Sequence, residues 1–479
     1  MENLAVTTIF IPLLGALLTL LAPKGSAKWV AQLFAGLATI SVLALASSFH
    51  SSGVESVTYS ILALDQIQLF GLTVDKISTL ITAAVVVIGL LIAMFSLGYM
   101  SDGNREHPHE AAPRYYALLL AFIGAMAGLV LSSTILGQLL FFEVTGICSW
   151  ALIGYYQSES SKKSALKALT ITHVASIGLF IAAAMLLIET GTFELTALAQ
   201  LSMESKTVVF LGILLAAWGK SAQLPLHVWL PDAMAAPTPI SAYLHAASMV
   251  KVGVYIFARA ILSAGEVPEI IGVVGVVGAI ITMIYGFVMY LPQMDMKRLL
   301  AYSTITQLAY IFLALSLSVF GSSLALESGI AYIFNHAFAK TLFFLVAGAL
   351  SYSCGTRMLP KLKGIVKGSP LLAVAFCVAA LAITGVPPFN GFFSKFPLFV
   401  AGFELTSVHS WLMPILLLAL VESVASFGWI MYWFGKSVIG EPSEAVSTMK
   451  PLPPVMSAVL VVLIIMSLCS SFIAANWIG

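Results

Sequence analysis

Four lysines, Lys220, Lys251, Lys340 and Lys395, stand in stretches of sequence otherwise apolar enough to cross a bilayer. Glu143, Glu422, His173, His227, His245 and His336 lie in the same kind of stretch. A lysine at the bilayer centre costs about 2.5–3.5 kcal/mol on insertion scales, so such groups face protein or internal water and mark functional sites by default. The chemistry open to them is proton exchange. A buried amine whose carboxylate partner approaches and retreats takes up and releases a proton. Glu143, in LLFFEVTG, is the one carboxylate well inside the first half and is the candidate partner for Lys220. A static buried pair that fixes helix register is the alternative.

His245 and Lys251 are six positions apart, about 120° around a helix, and read as successive stops on one wet path. His336 and Lys340 are i, i+4 and share a face. Histidine titrates near neutral pH and suits a relay, although either histidine alone also fits a satisfied core hydrogen bonder. Lys395 mirrors Lys220 loosely, with snorkelling to an interface as the alternative. Glu422, in LLLALVESVAS, fits helix packing equally well, and His173 and His227 give weaker signals. Asp232 reads as a cap, and His107-Pro108-His109 as a solvated loop without a metal-ligand pattern. Hard cations want several oxygen ligands, whereas amines and imidazoles dominate here, which favours protons over sodium.

Two interrupted helices must position these groups. WGKSAQLPLHVWLPDAMAAPTPISAYLHAASMVKVGVY, residues 218–255, follows an apolar run, meets Lys220, breaks near Pro225 and resumes briefly to Pro231; a second helix follows Pro239. TGVPPFNGFFSKFPLF, residues 384–399, breaks at Pro387-Pro388 and carries Lys395. Broken helices survive at membrane depth only where protein or internal water satisfies the freed backbone, and they commonly build ion or substrate sites.

The whole chain fits this setting. Of 479 residues, 60% are hydrophobic and 9% charged, with net charge +1 and mean hydropathy +1.02. That composition is a polytopic membrane protein in contact with lipid, with no basic signal for nucleic acid. MENLAV lacks a positive n-region, so the first apolar run reads as an uncleaved helix. Cys148, Cys354, Cys377 and Cys469 are scattered, which argues against iron–sulfur ligation and leaves no cofactor expected.

At roughly 20 apolar residues per span, about fourteen spans are expected: 4–22, 29–49, 74–100, 115–132, 135–156, 165–188, 207–231, 239–262, 268–291, 296–319, 328–352, 369–402, 410–434 and 454–478. Ser132-Ser133-Thr134 must serve as a whole turn. One set of alternating loops then holds Lys24, Lys28, Arg105, Arg114, Lys162, Lys163, Lys167, Lys297, Arg298, Arg357, Lys361, Lys363, Lys367, Lys436 and Lys450. The opposite set holds only Lys76, Lys206 and Arg259 among bases, with most of the loop carboxylates. This separation orients both termini outward. The expected fold is all-α with two inverted five-helix repeats. The divisions are an N-terminal segment 1–114, a first repeat 115–262 broken in 207–231, a second repeat 263–434 broken in 369–402, and a C-terminal helix 435–479. Each repeat carries its break in its fourth helix, the plan of secondary transporters.

Residues 218–255, with DMKRLLAYSTITQLAY, NHAFAKTLFFLVAG and ITGVPPFNGFFSKFPLF, resemble the proton-translocating antiporter-like subunits shared by respiratory complex I, multisubunit cation/proton antiporters and membrane-bound hydrogenases. The likeness covers nearly the whole chain. NREHPHEA, RYYALLLAFIGAMAGLVLSSTILGQLLFFE and the length look most like the D-type subunits of hydrogenase-4, a formate hydrogenlyase-type complex. The resemblance implies a fourteen-helix fold, a Glu143–Lys220 pair, a connecting Lys251, His336 and Lys340 on the eleventh helix, and Lys395 towards the outer exit. Some members carry an acidic residue where Lys395 stands.

It also implies partners: other membrane-arm subunits of a hydrogenase complex and, through them, nickel–iron hydrogenase and iron–sulfur subunits, in the inner membrane of a bacterial cell. No catalytic centre, cofactor or metal is expected in this chain. Sodium/proton exchange, complex I-type pumping, and a structural role with a vestigial channel are the rival expectations.

Overall fold

A computed structural model describes residues 1–478. The helices are α1 (Glu2–Leu21), α2 (Lys24–Ser52), α3 (Lys76–Tyr99), α4 (Pro113–Leu131), α5 (Ile135–Ile153), α6 (Glu159–Thr190), α7 (Met203–Lys220), α8 (Thr238–Ala246), α9 (Met249–Ala264), α10 (Glu269–Tyr290), α11 (Met296–Ser318), α12 (Ser323–Cys354), α13 (Ile365–Gly368), α14 (Pro370–Thr384), α15 (Phe392–Leu405), α16 (Leu412–Val438), α17 (Glu444–Ser447) and α18 (Pro454–Ile478). Among the described residues, 12 helical stretches are long and apolar enough to span a bilayer, counting α8 and α9 as one. The two expected spans missing from that set are the two broken ones, so each of the fourteen segments corresponds to helix. The protein is a polytopic helical membrane protein.

α11 and α12 form the buried centre, and α1, α2, α16 and α18 lie at the periphery with much of their surface outward. The central pair is also the polar pair: Ser303, Gln307, Asn335, His336 and Lys340 are all buried on it. With lipid as apolar as leucine, helices associate through close packing of small residues and interhelical hydrogen bonds. α6 and α7 use the first device. Gly178 and Gly212 face each other backbone to backbone, and a Cβ on either would collide with the other's carbonyl.

The first break is tighter than expected. α7 stops at Lys220, Ala222 turns through φ +49°, and the chain proceeds to Pro231 through a 3-10 turn (Leu226–Trp229) rather than a resumed helix. Its freed backbone is satisfied locally: Trp229 Nε1 donates to Gly219 O at 3.0 Å, and the Gln223 amide N–H to Trp218 O at 2.9 Å. The following span starts at Thr238, with Pro239 in its first turn, where proline's missing N–H costs nothing. That span is itself interrupted at Ala247–Ser248, between α8 and α9, where Ser248 Oγ donates to Tyr243 O at 2.8 Å. The expectation of one continuous helix carrying His245 and Lys251 is therefore corrected, because Ser248 leaves the helical region, at φ −121° and ψ −114°, and ends the ladder. The second break, between α14 and α15, is held by Asn390, whose N–H donates to Ser467 O and whose side chain donates to Asn335 O, both at 2.9 Å.

Between α2 and α3, where no element was expected, β1 (Ser56–Leu64) and β2 (Ile67–Asp75) pair as an antiparallel hairpin turning at Asp65–Gln66. The hairpin braces the three-residue turn between α4 and α5. Ser133 N–H donates to Gly71 O, and Thr134 Oγ1 to Leu69 O, both at 2.9 Å. Asp75 ends β2, caps α3 through Ile77 and Ser78, and takes two bonds from Arg259 of α9, at 2.5 and 3.1 Å.

Burial pushes the Asp75 carboxyl up, but the Arg259 charge and the hydrogen bonds it receives more than offset this and hold it below the usual range. On acidification the unfolded chain therefore takes this proton first. The stabilisation is complete above about pH 3.9 and is lost as the pH falls through the lower folded value. Asp75→Asn leaves Arg259 unpaired and should cost about 3–5 kcal/mol, read as a lower thermal midpoint in detergent at pH 7 that converges with the parent's under strong acid.

Candidate functional site: a buried line of titratable side chains

α5, α6 and α7 build the first station. Lys220, 1% exposed, lies at the C-terminal end of α7, with Nζ 3.3 Å from Thr145 Oγ1 and 4.4 Å above the Phe142 ring. Glu143 lies between these two contacts on α5, yet among the described residues no ion pair joins it to Lys220. Its Oε2 is 2.9 Å from Nδ1 of His173 on α6, and its Oε1 is buried without a partner. The expected Glu143–Lys220 pair is thus replaced by Glu143–His173, because Lys220 runs along α5 toward Thr145 and Gly146 while α6 brings His173 to the carboxylate.

The centre of the line joins the two halves. Lys251 Nζ on α9 lies 2.8 Å from His336 Nδ1 on α12, a bond between residues 85 positions apart. Two full positive charges at that distance would repel by about 6 kcal/mol even at an effective dielectric of 20. The pair therefore carries at most one positive charge, and a proton on it is shared between an amine and an imidazole. His336 Nε2 is buried and free of protein partners, and one turn along α12 Lys340 Nζ donates to Ser303 Oγ of α11 at 2.8 Å. His245 is fully buried against Phe344, with neither ring nitrogen bonded to protein. Buried polar atoms are satisfied in native proteins, by water where protein does not reach. Such atoms recur along this line, at Glu143, His245 and His336.

The last station follows the second break. Lys395 Nζ donates to Ser423 Oγ at 3.1 Å and sits 4.5 Å over the Tyr310 ring. The Tyr310 hydroxyl donates to Glu422 Oε2 at 2.6 Å, and Ser426 donates to the other oxygen. An amine and a carboxylate thus share one aromatic ring as their common contact.

Glu422, His173, Tyr310, Thr145 and Ser303 are the participants that sequence reasoning set aside or did not reach. The two ionisable ones were visible as charges within spans. The hydroxyls carried no signal, because buried Ser and Thr on helices ordinarily bond their own backbone and a buried Tyr is ordinary in a packed core. His227 bonds the Tyr285 hydroxyl at 3.0 Å, and Asp232 pairs with Lys167 at 2.8 Å, so neither joins the line. Among the described residues no cluster of three His, Cys, Asp or Glu has metal-holding geometry.

Two broken spans around a titratable interior follow the architectural plan found in secondary transporters. Residues 132–424 match the family described as NADH:quinone oxidoreductase/Mrp antiporter, transmembrane, and residues 67–115 match the N-terminal region of chain 5 of NADH-ubiquinone oxidoreductase (complex I). The chain belongs to this NADH:quinone oxidoreductase/Mrp antiporter family. It is 35% identical over 418 residues to a probable K(+)/H(+) antiporter component, of the A/B type, from Rhizobium meliloti, covering 85% of this chain and 41% of that one. It is 36% identical over 416 residues to the L-type component of NADH-quinone oxidoreductase from Pseudomonas aeruginosa, covering 82% and 65%. The chain thus spans about two fifths to two thirds of the length of the curated relatives it matches. Among solved structures it resembles a chain of the Mrp complex from Dietzia sp., with TM-score 0.87, 25% identity and coverage of 99% of this chain and 51% of that one. A chain of an archaeal membrane-bound sulfane sulfur reductase shares the fold, with TM-score 0.85, 24% identity and coverage of 99% and 95%.

Tyr310→Phe keeps the ring beneath Lys395 but removes the hydroxyl that Glu422 accepts from. It should destabilise the protein by about 1–3 kcal/mol, measured as a shift in thermal midpoint in detergent.

Proposed function

We propose that this chain is a proton-translocating, antiporter-like component of the membrane arm of a redox-driven complex. Protons move along Glu143, Lys220, His245, Lys251, His336, Lys340 and Lys395 under the drive of chemistry in partner subunits. The observation that carries this reading is the 2.8 Å Lys251–His336 contact. It joins the half that contains the first break to the half that contains the second, through two groups that cannot both be charged. Repeats at 115–262 and 263–434, each broken in its fourth span, would make the two halves separate gates, with Lys220 at one and Lys395 with Glu422 at the other.

The finer reading is a hydrogenase-4 or formate hydrogenlyase-type complex in a bacterial inner membrane, with nickel–iron hydrogenase and iron–sulfur subunits as partners. Its support is the likeness of NREHPHEA and residues 114–143, and the near-equal length of the sulfane sulfur reductase chain, of which this chain covers 95%.

Exchange of a monovalent cation for protons is the second reading. Identities of 35% to the K(+)/H(+) antiporter component and 34% to an A-type Na(+)/H(+) antiporter component from Alkalihalophilus pseudofirmus favour it.

Lys220→Ala or Lys220→Met should abolish turnover-driven acidification of inverted membrane vesicles while the complex remains assembled. Proton movement equal to the parent's would refute the reading. A sodium- or potassium-dependent pH change without redox substrate, lost on Glu143→Gln, would establish exchange instead.

A further inference from the structure

The loop between α3 and α4 carries the one motif the line of stations does not use, Asn104-Arg105-Glu106-His107-Pro108-His109. It lies on the face that bears most of the basic loops, and it is tied down. Glu106 Oε1 accepts from Arg357 at 2.6 Å, and Arg357 in turn donates to Asp295 at 3.0 Å. Arg105 donates to the carbonyls of Ser353 and Thr448, at 3.0 and 2.6 Å. The strap therefore spans from α3 to the segments around α12 and α17.

Beneath it is a cavity of about 350 Å3, lined by Tyr99, His107, Tyr156, Thr238, Lys297 and Arg357 among others. The loops after α3, α5, α7 and α12, with the first turn of α11, contribute to its wall. Lys297, 1% exposed, is fixed at its edge by bonds of 2.8 Å to the carbonyls of Met234 and Ala236.

Two features give the cavity a direction. His107 lines it and is also 43% exposed, so its ring bridges bulk water and the interior. At the far side Thr238 opens α8, and its hydroxyl is 2.9 Å from the Tyr99 hydroxyl. His245 follows Thr238 by seven residues, nearly the same helix face and about 10 Å deeper. Both of its buried ring nitrogens lack a protein partner.

We propose that this cavity is the inner loading vestibule of the proton line, with His107 taking protons from solvent and the Tyr99–Thr238 hydroxyls handing them toward His245. The inference rests on the proton-moving reading above. The groups that face His107 are Glu106 on its own loop, Arg357 after α12, Lys297 at the start of α11, Tyr156 after α5, whose ring centroid is 5.2 Å away, and Tyr99 of α3. Burial lowers the affinity of His107 for a proton, Glu106 opposes this, and Arg357 with Lys297 adds to it. The imidazole is thus held below the usual histidine range, neutral at pH 7 and able to accept. The step is a simple transfer. A proton from hydronium or a buffer acid binds the free ring nitrogen, and the opposite nitrogen releases one inward.

The test is turnover-driven proton movement in vesicles that hold the assembled complex. His107→Ala should slow it by about tenfold or more, the scale of a lost acid–base group, and added imidazole should restore it. Thr238→Val should also slow it, without rescue by imidazole. Unchanged movement in His107→Ala, or a loss indifferent to imidazole, overturns the vestibule. If His107→Ala fails to assemble, His107→Gln decides: parental movement overturns the proposal, and a tenfold loss at equal complex abundance supports it. Lys220→Ala separates the two claims. Its loss of movement without imidazole rescue keeps the line intact whatever His107 does, whereas retained movement removes the line and the vestibule with it.

Discussion

An amine held in hydrocarbon is so costly that everything around it must be arranged to accept it, and this protein holds four. None of Lys220, Lys251, Lys340 and Lys395 has a carboxylate within ion-pair distance among the described residues. Their contacts are a threonine, a histidine, a serine and a serine, with aromatic faces beneath the first and last. Neutral, polarizable partners of this kind suit groups whose charge comes and goes, since a fixed counter-ion would hold each proton in place. The polar load of the two central helices, α11 and α12, follows from the same need. Side chains that serve the amines must themselves be enclosed, and only the middle of the bundle encloses them on all sides.

The breaks belong to this economy of charge. A lysine at the end of a helix brings its ammonium near free carbonyls, and the negative end of the helix dipole favours a cation there. Lys220 is the last residue of α7, while Lys395 stands in the first turn of α15, close enough to the end of α14 to reach Thr384 O at 3.4 Å. The second half therefore offers a terminal carbonyl to its amine, whereas in the first Lys220 stands at the helix end and reaches across to Thr145 of α5. The backbone groups freed by each break are taken up by Trp229, Gln223 and Asn390, so neither gap leaves its main chain bare in the bilayer.

Much of the frame was legible from the chain alone. Apolar length and the sorting of loop charges located fourteen segments, and Pro225 and Pro387-Pro388 located the breaks. These signals run along one dimension. Which way a helix is turned about its axis does not, and the pairings depend on it. Nothing in LLFFEVTG or ITHVASIG says that Glu143 and His173 meet, or that Lys220 passes the carboxylate to reach Thr145. The interruption at Ala247–Ser248 was hidden for a related reason: a serine within an apolar run is compatible with an unbroken helix, and only its departure from the helical region shows that the ladder ends. The hairpin escaped because its strands alternate only over short runs, residues 56–61 and 72–75, and border on a long apolar helix that dominates the local signal. Tyr310 escaped because tyrosine is as common in a packed core as in a site.

The bare contact between Gly178 and Gly212 has a mechanical meaning. With no side chain between them, α6 and α7 behave as one stiff plank bearing His173 on one plate and Lys220 on the other, with α5 packed against α6 and reached by the Lys220 side chain. A sideways push on either plate is felt by its twin without slack, so the grip on Glu143 and the reach toward Thr145 are geared together.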